Sequence, residues 1–185
     1  MAVDRRICKT KESLKNALIA LLNEKEINNI TVKELCIKAD INRSTFYSHY
    51  KDQNDLYNSI LNQLFQNMEL YLKKSINIDF DNRASAITFL SRIFTYCRNN
   101  SEYTAVFLVS QRKNIVCEQI SNFFKRYNIY SRNCRLEINE VFEHYYYTYV
   151  SVGIIAVVQS WMENGMKQSD EEMANIVFDL VNSQK

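Results

Sequence analysis

Residues 30–56 read ITVKELCIKADINRSTFYSHYKDQNDL, from Ile30 to Leu56. Thr31-Val32-Lys33-Glu34 has the form of a capping box, in which the threonine oxygen accepts from the Glu34 N–H and the glutamate reaches back. A short helix is predicted to follow, with Val32, Leu35, Cys36 and Ala39 on its buried side. Asp40-Ile41-Asn42 breaks it: aspartate tolerates the left-handed backbone of a tight turn, and Asn42 is a good cap for the next helix. That helix is predicted over Arg43–Tyr50, anchored by Phe46 and Tyr50, with Arg43, Ser44, Tyr47, Ser48 and His49 facing outward. Asp52 then caps a longer helix, with Leu56, Ile60, Leu61, Leu64, Phe65 and Met68 along its inner side, running to about Lys74.

Upstream, Ile7, Leu14, Ala17, Leu18, Leu21 and Leu22 recur at helical spacing and define a first helix, ending near residues 24–26 before a turn at Asn28-Asn29. Downstream, the stretch NIDFDN (Asn77–Asn82) reads as an inter-domain junction, and amphipathic segments follow at roughly 84–99, 102–109, 111–130, 137–164 and 170–184. The predicted organisation is a domain over 1–51, a connecting helix over 52–76 and a helical body over 77–185. The predicted fold class is all-α: a three-helix head joined by a fourth helix to a helical-bundle body, about nine helices in total.

Composition agrees. The 185 residues contain no proline and two glycines, where average usage gives roughly nine and a dozen. A dinucleotide-binding GxGxxG loop needs three glycines and a P-loop needs two placed five apart; Gly153 and Gly165 are twelve apart. Hairpin-rich folds, which lean on both residues for their turns, are excluded on the same ground. Five cysteines (Cys8, Cys36, Cys97, Cys117, Cys134) form no CxxC pair, and His49 lies far from His144. No metal and no cofactor is expected, and the thiols read as buried or idle in a reducing cytosol. With no signal-peptide pattern and no apolar run long enough for a bilayer, a soluble cytoplasmic protein is expected, without membrane contact.

Charge is uneven. Residues 1–51 hold ten Lys/Arg against six Asp/Glu, while the remainder is slightly acidic. A basic head suits a module that touches phosphates. Two short helices joined by a tight turn, the second with small polar residues and an arginine outward, make a helix-turn-helix. A helix fits the major groove, arginine pairs bidentately with guanine, and Ser, Thr, Tyr, His and Lys reach phosphates or base edges. The alternative from geometry alone is a plain three-helix packing unit. As a metal or catalytic residue, His49 lacks any neighbouring acid or cysteine within the motif.

The same segment closely resembles the DNA-binding signature of the TetR family of bacterial repressors, loosely T-V-x-x-I-A-x-x-A-G-V-S-x-x-T-F-Y-x-H-F-x-x-K-E-x-L. Thr31, Val32, Ala39, Ile41, Thr45, Phe46, Tyr47, His49, Tyr50 and Leu56 stand at matching positions, and the resemblance covers roughly residues 5–72. Asp40 replaces the usual turn glycine, and Gln53-Asn54 replace the usual Lys-Glu, removing a frequent phosphate-binding lysine. The resemblance implies that Arg43 and Ser44 read bases and that Thr45 touches a base or phosphate. It also implies that Tyr47, His49 and Lys51 hold the backbone of a double-stranded DNA operator, to which the helix N-termini at Thr31 and Asp52 add N–H donors.

The stretch HYYYTYVSVGIIAVVQSWMENG (His144–Gly165) with DEEMANIVFDLV (Asp170–Val181) resembles the last two helices of many members. Its apolar content exceeds what one helix pair needs. A four-helix interface in a homodimer is therefore expected, with Gly153, Ile154, Val158, Trp161, Met162, Val177 and Leu180 as its candidates; a purely intrachain core is the alternative. Phe89, Tyr96, Phe107, Phe123, Tyr127, Tyr145 and Tyr149 are candidates to line a pocket for a small apolar or aromatic effector, or simply to fill a core. The expected function is a DNA-binding regulator, by default a repressor on a palindromic operator; in one version the body takes a small ligand, in another it docks a protein partner. An enzyme on a helical scaffold is the remote reading, since no nucleophile–base pair, paired-carboxylate motif or metal spacing is present.

Overall fold

A computed structural model describes residues 5–73, 82–109, 113–127 and 140–182. Among them are nine α-helices: α1 (Arg5–Leu22), α2 (Val32–Ala39), α3 (Arg43–Tyr47), α4 (Gln53–Leu72), α5 (Arg83–Asn99), α6 (Ser101–Val109), α7 (Lys113–Tyr127), α8 (Glu140–Glu163) and α9 (Asp170–Asn182). The all-α class and the helix order follow the sequence reading. The chain divides into two compact units, Met1–Leu64 and Phe65–Lys185, with the division falling inside α4. The candidate junction at 77–82 lies outside the described residues except for Asn82, whose side chain caps α5 by accepting from the Ser85 N–H at 3.2 Å.

In the first unit, α1 buries Leu14, Ala17, Leu18 and Leu21 on one stripe, while Ile7, at its outer end, stays exposed. The helix stops at Leu22, two residues before the expected end. The chain then tightens into a 3₁₀ turn over Ile27–Asn29, and Ile27 and Ile30 are buried on either side of it. α2 packs on both α1 and α3, and Phe46 of α3 and Leu56, Tyr57 and Leu61 of α4 are essentially inaccessible. Each such side chain contributes roughly 1.5–3 kcal/mol of transfer free energy.

In the second unit, α9 lies along α5, α8 lies on α7, and α6 fills the angle between α7 and α8. Phe89 of α5 stacks on Phe123 of α7 with ring centroids 6.2 Å apart, and Phe94 meets Trp161 of α8 edge-on at 5.3 Å. Ser151 is completely buried in α8, and its hydroxyl pairs with that of Ser121 in α7 at 2.9 Å. The pairing satisfies the buried Ser151 hydroxyl and favours one axial setting of the two helices. α8 ends where Gly165 adopts a φ of 75° and the Met166 N–H bonds the Trp161 carbonyl at 2.9 Å. Ser169 then caps α9 through a second box with Glu172.

Candidate nucleic-acid interface

The helix-turn-helix is built from local bonds that the sequence dictates. The Thr31 hydroxyl accepts from the Glu34 N–H at 3.2 Å, and Glu34 accepts from the Thr31 N–H at 2.9 Å and from its hydroxyl at 2.8 Å. Lys25, beyond the end of α1, also pairs with Glu34, and Lys38 of α2 pairs with Glu24 at 3.0 Å. The Lys25 ammonium, followed by the two Thr31 donors, lowers the Glu34 carboxyl to about 2. The start of α2 is thus fixed from inside its own first turn and from the chain that precedes it.

Asp40 takes the left-handed conformation, φ 53° and ψ 50°. The Ile41 N–H reaches back to the Cys36 carbonyl at 3.0 Å, the bond that closes a helix end of this type. Asn42 accepts from the Ser44 N–H at 3.0 Å and starts α3. α3 is shorter than the expected Arg43–Tyr50. The Ser48 hydroxyl donates to the Thr45 carbonyl at 2.7 Å, and the N–H groups of His49 and Tyr50 both converge on the Phe46 carbonyl, so the helix closes after Tyr47. Phe46 is fully buried, and its ring touches those of Tyr47 and Tyr50 at 5.5 and 5.9 Å. Tyr50 is buried too, which raises its phenol pKa. Asp52 caps α4 by accepting from the N–H groups of Asn54 and Asp55, and Asp55 accepts from the Lys51 N–H at 2.9 Å.

Around that frame Thr31, Arg43, Ser44, Tyr47 and Lys51 are exposed, and Thr45 and His49 are half-buried. Tyr47 leaves 59% of its surface open although its ring edge rests on Phe46, so the ring is steadied while the hydroxyl stays available. α2 also exposes Ile37 by 70%, a residue the sequence reading passed over. The signal was available: Ile37 falls off the stripe set by Leu35 and Cys36. Among the described residues no three His, Cys, Asp or Glu gather as metal ligands would.

The second unit divides the remaining candidates. Val158, Trp161 and Val177 are buried within the chain itself; Gly153 and Leu180 are exposed, and Ile154 and Met162 half-buried. Outside its own helix turn, none of the described residues lies within 4 Å of where a Gly153 Cβ would stand. Of the pocket candidates, Phe89, Tyr96, Phe107 and Phe123 are interior, whereas Tyr145 and Tyr149 are 67% and 65% exposed. The Tyr127 side chain lies outside the described residues. Burial, with Cys97 nearby, pushes the Tyr96 phenol up to about 12; burial and then the Asp170 charge do the same for the Cys97 thiol. Missed by sequence reasoning was the continuous surface stripe on α8, Val141, Tyr145, Tyr149 and Val152; on α9 the interface candidate Leu180 is exposed, as is Ile176. The four-residue spacing of the first three was its readable sign.

Fold and site together define a class, the all-α regulator with an N-terminal helix-turn-helix. A family model described as a transcriptional regulator C-terminal region, of the TetR type, matches residues 84–183. The chain belongs to the TetR family of transcriptional regulators. Over 60 residues, 32% of its length, it is 35% identical to YxbF of Bacillus subtilis strain 168, an uncharacterized HTH-type transcriptional regulator; the match spans only 16% of that protein. A crystal structure of a TetR transcriptional regulator from Streptococcus agalactiae 2603V superposes with a TM-score of 0.67, at 23% identity, over 96% of both chains. The regulator FadR from Bacillus subtilis, in complex with stearoyl-CoA, does so with a TM-score of 0.56, at 14% identity, over 94% of this chain and 98% of that one. At these identities the two structures share a fold with this chain.

Proposed function

We propose that the chain is a DNA-binding transcriptional regulator that acts as a homodimer, by default repressing, on a palindromic operator. The observation that carries this reading is the presentation of α3: Phe46 locks it to the core while Arg43, Ser44 and Tyr47 stay open to solvent, and Thr31 and Lys51 stand beside helix N-termini. Arg43 and Ser44 read base edges in the major groove, with Thr45 on a base or phosphate; Thr31, Tyr47, His49 and Lys51 hold phosphates.

The exposed residues of α8 and α9, from Tyr145 and Tyr149 to Ile176 and Leu180, supply the face for the second copy. Gly153, Ile154 and Met162 lie on the accessible part of α8 and belong to the same interface. Val158, Trp161 and Val177 support it from beneath. Two-fold pairing repeats the head, so that the two recognition helices enter successive major grooves about 34 Å apart.

The effector in this reading is small and apolar or aromatic, taken up among Phe89, Phe107, Phe123 and Tyr96, and FadR in complex with stearoyl-CoA is an example of a protein of this fold that binds a ligand with an apolar chain. The exposure of Tyr145 and Tyr149, two of the pocket candidates, favours the second reading, in which the body docks a protein partner and takes no small ligand. The site of action is the cytoplasm, and no helix among the described residues is long and apolar enough to cross a membrane.

The test is footprinting of the full chain on DNA flanking its own gene. Protection of a palindrome with half-sites in successive grooves is expected; binding that ignores sequence, or none at all, contradicts the proposal.

A further inference from the structure

The two helices with exposed apolar stripes scarcely touch each other: α9 is seated on α5, and α8 on α7 and α6. Their mutual placement therefore depends on whatever joins them. At the end of α5 one side chain does so. Arg98 donates from Nε to Asp170 Oδ1 at 2.8 Å, and from its two terminal nitrogens to the carbonyls of Met166 and Gln168 at 3.1 and 2.8 Å. Its guanidinium also lies over the Trp161 ring, 4.8 Å from the centroid. Arg98 thus touches the last turns of α8, the connector and the first residue of α9.

Neighbouring bonds close the arrangement. Thr95 donates to the other Asp170 oxygen at 2.6 Å, and Trp161 Nε1 donates to the Gln168 carbonyl at 3.1 Å. The connector also holds Met166 at a φ of 51°, a left-handed conformation that is unfavourable for a residue with a Cβ and needs holding. At the opposite end of α5, Arg83 bonds Asn175 and Asp179 and lies over the Phe178 ring, all on α9. Arg83 therefore ties α9 to α5 without reaching α8 through any of these contacts.

We propose that Arg98 is the positioning residue for self-association: it sets α8 and α9 relative to each other, so that their stripes form one face complementary to a second copy of this chain. The inference rests on the dimer reading given above. Arginine suits the task because its rigid fork addresses two carbonyls and a carboxylate at once while its plane stacks on the indole; lysine offers one nitrogen and no plane.

The experiment compares the full chain with Arg98→Met, Arg98→Lys and Arg83→Met. It reads the dimer dissociation constant by sedimentation, helicity by circular dichroism, and the emission of Trp161, the single tryptophan. Both Arg98 variants are expected to raise the dissociation constant about tenfold or more and to shift tryptophan emission to the red with helicity retained. Arg83→Met is expected to lower thermal stability while the dissociation constant stays within about threefold of wild type, a span under 1 kcal/mol.

A dimeric wild type with an unchanged Arg98→Met or Arg98→Lys overturns the inference alone. So does an Arg83→Met that loosens the dimer as much as Arg98→Met. Should Arg98→Met lose its helicity, Asp170→Asn takes its place, with about threefold weakening expected and none contradicting. A monomeric wild type overturns the dimer reading and the inference with it.

Discussion

Glu34 collects three donors, the Lys25 ammonium and the N–H and hydroxyl of Thr31, and they bring its carboxyl from 4.5 to about 2. Because the folded value lies below the unfolded one, the stabilisation is complete above about pH 4.5 and disappears as pH falls toward 2. Melting temperature measured against pH should therefore show wild type losing its advantage over Glu34→Gln across that window. A constant gap down to pH 2 would contradict the assignment. Half of this arrangement was legible in the sequence. The Thr31–Glu34 box spans one helical turn and shows as T-x-x-E, whereas the Lys25 partnership forms only once α1 and α2 pack, and no spacing announces it. The same division holds on α3 and the turn after it: Phe46 as anchor and Tyr47 as outward residue follow from the helical period, but the half-burial of Thr45 and His49 depends on surroundings no local pattern encodes.

At the scale of elements, the turn between α2 and α3 uses a non-glycine residue where glycine is easiest. Asp40→Gly removes the left-handed penalty and leaves the Asn42 cap of α3 in place. It is expected to stabilise the protein by up to about 1 kcal/mol, read as a raised midpoint in urea. Gly153 is the converse case. In the middle of an exposed helix face, with open space around its missing Cβ, Gly153→Ala should stabilise the monomer by about 1 kcal/mol. If a partner backbone approaches there, the same change weakens the dimer, so denaturation and sedimentation should move in opposite directions. Helix ends were the least legible part of the fold. α1 stopped early because a 3₁₀ turn buried Ile27 and Ile30, and α3 stopped early because the Ser48 hydroxyl took a backbone carbonyl. In α8 the helix itself was plain, but not its buried side: apolar residues and tyrosines surround it, and only its packing on α6 and α7, with Phe94 of α5 against Trp161, shows that Val158 and Trp161 turn inward while Tyr145 and Tyr149 do not.

For the molecule as a whole, the proposed function gives the basic head DNA as its partner and the exposed apolar stripe on the body a second copy. Leu180 is 55% exposed on α9, so Leu180→Glu should cost the monomer little and place a charge in the proposed interface. The expected result is a folded monomer by light scattering at micromolar concentration, with weakened operator binding, since each half-site is then held alone. A dimer of unchanged affinity would place the interface elsewhere. Whether α3 reads DNA is decided by a mobility shift on the DNA flanking the protein's own gene. Wild type would be compared with Arg43→Ala and Tyr47→Ala on both the operator and single-base variants of it. Arg43→Ala is expected to relax base preference at one position, at a cost of about 1–3 kcal/mol on the preferred sequence, and Tyr47→Ala to weaken binding to every sequence alike. Unchanged binding by both variants, to an operator that the wild type recognises, would contradict the assignment of α3 as the recognition helix.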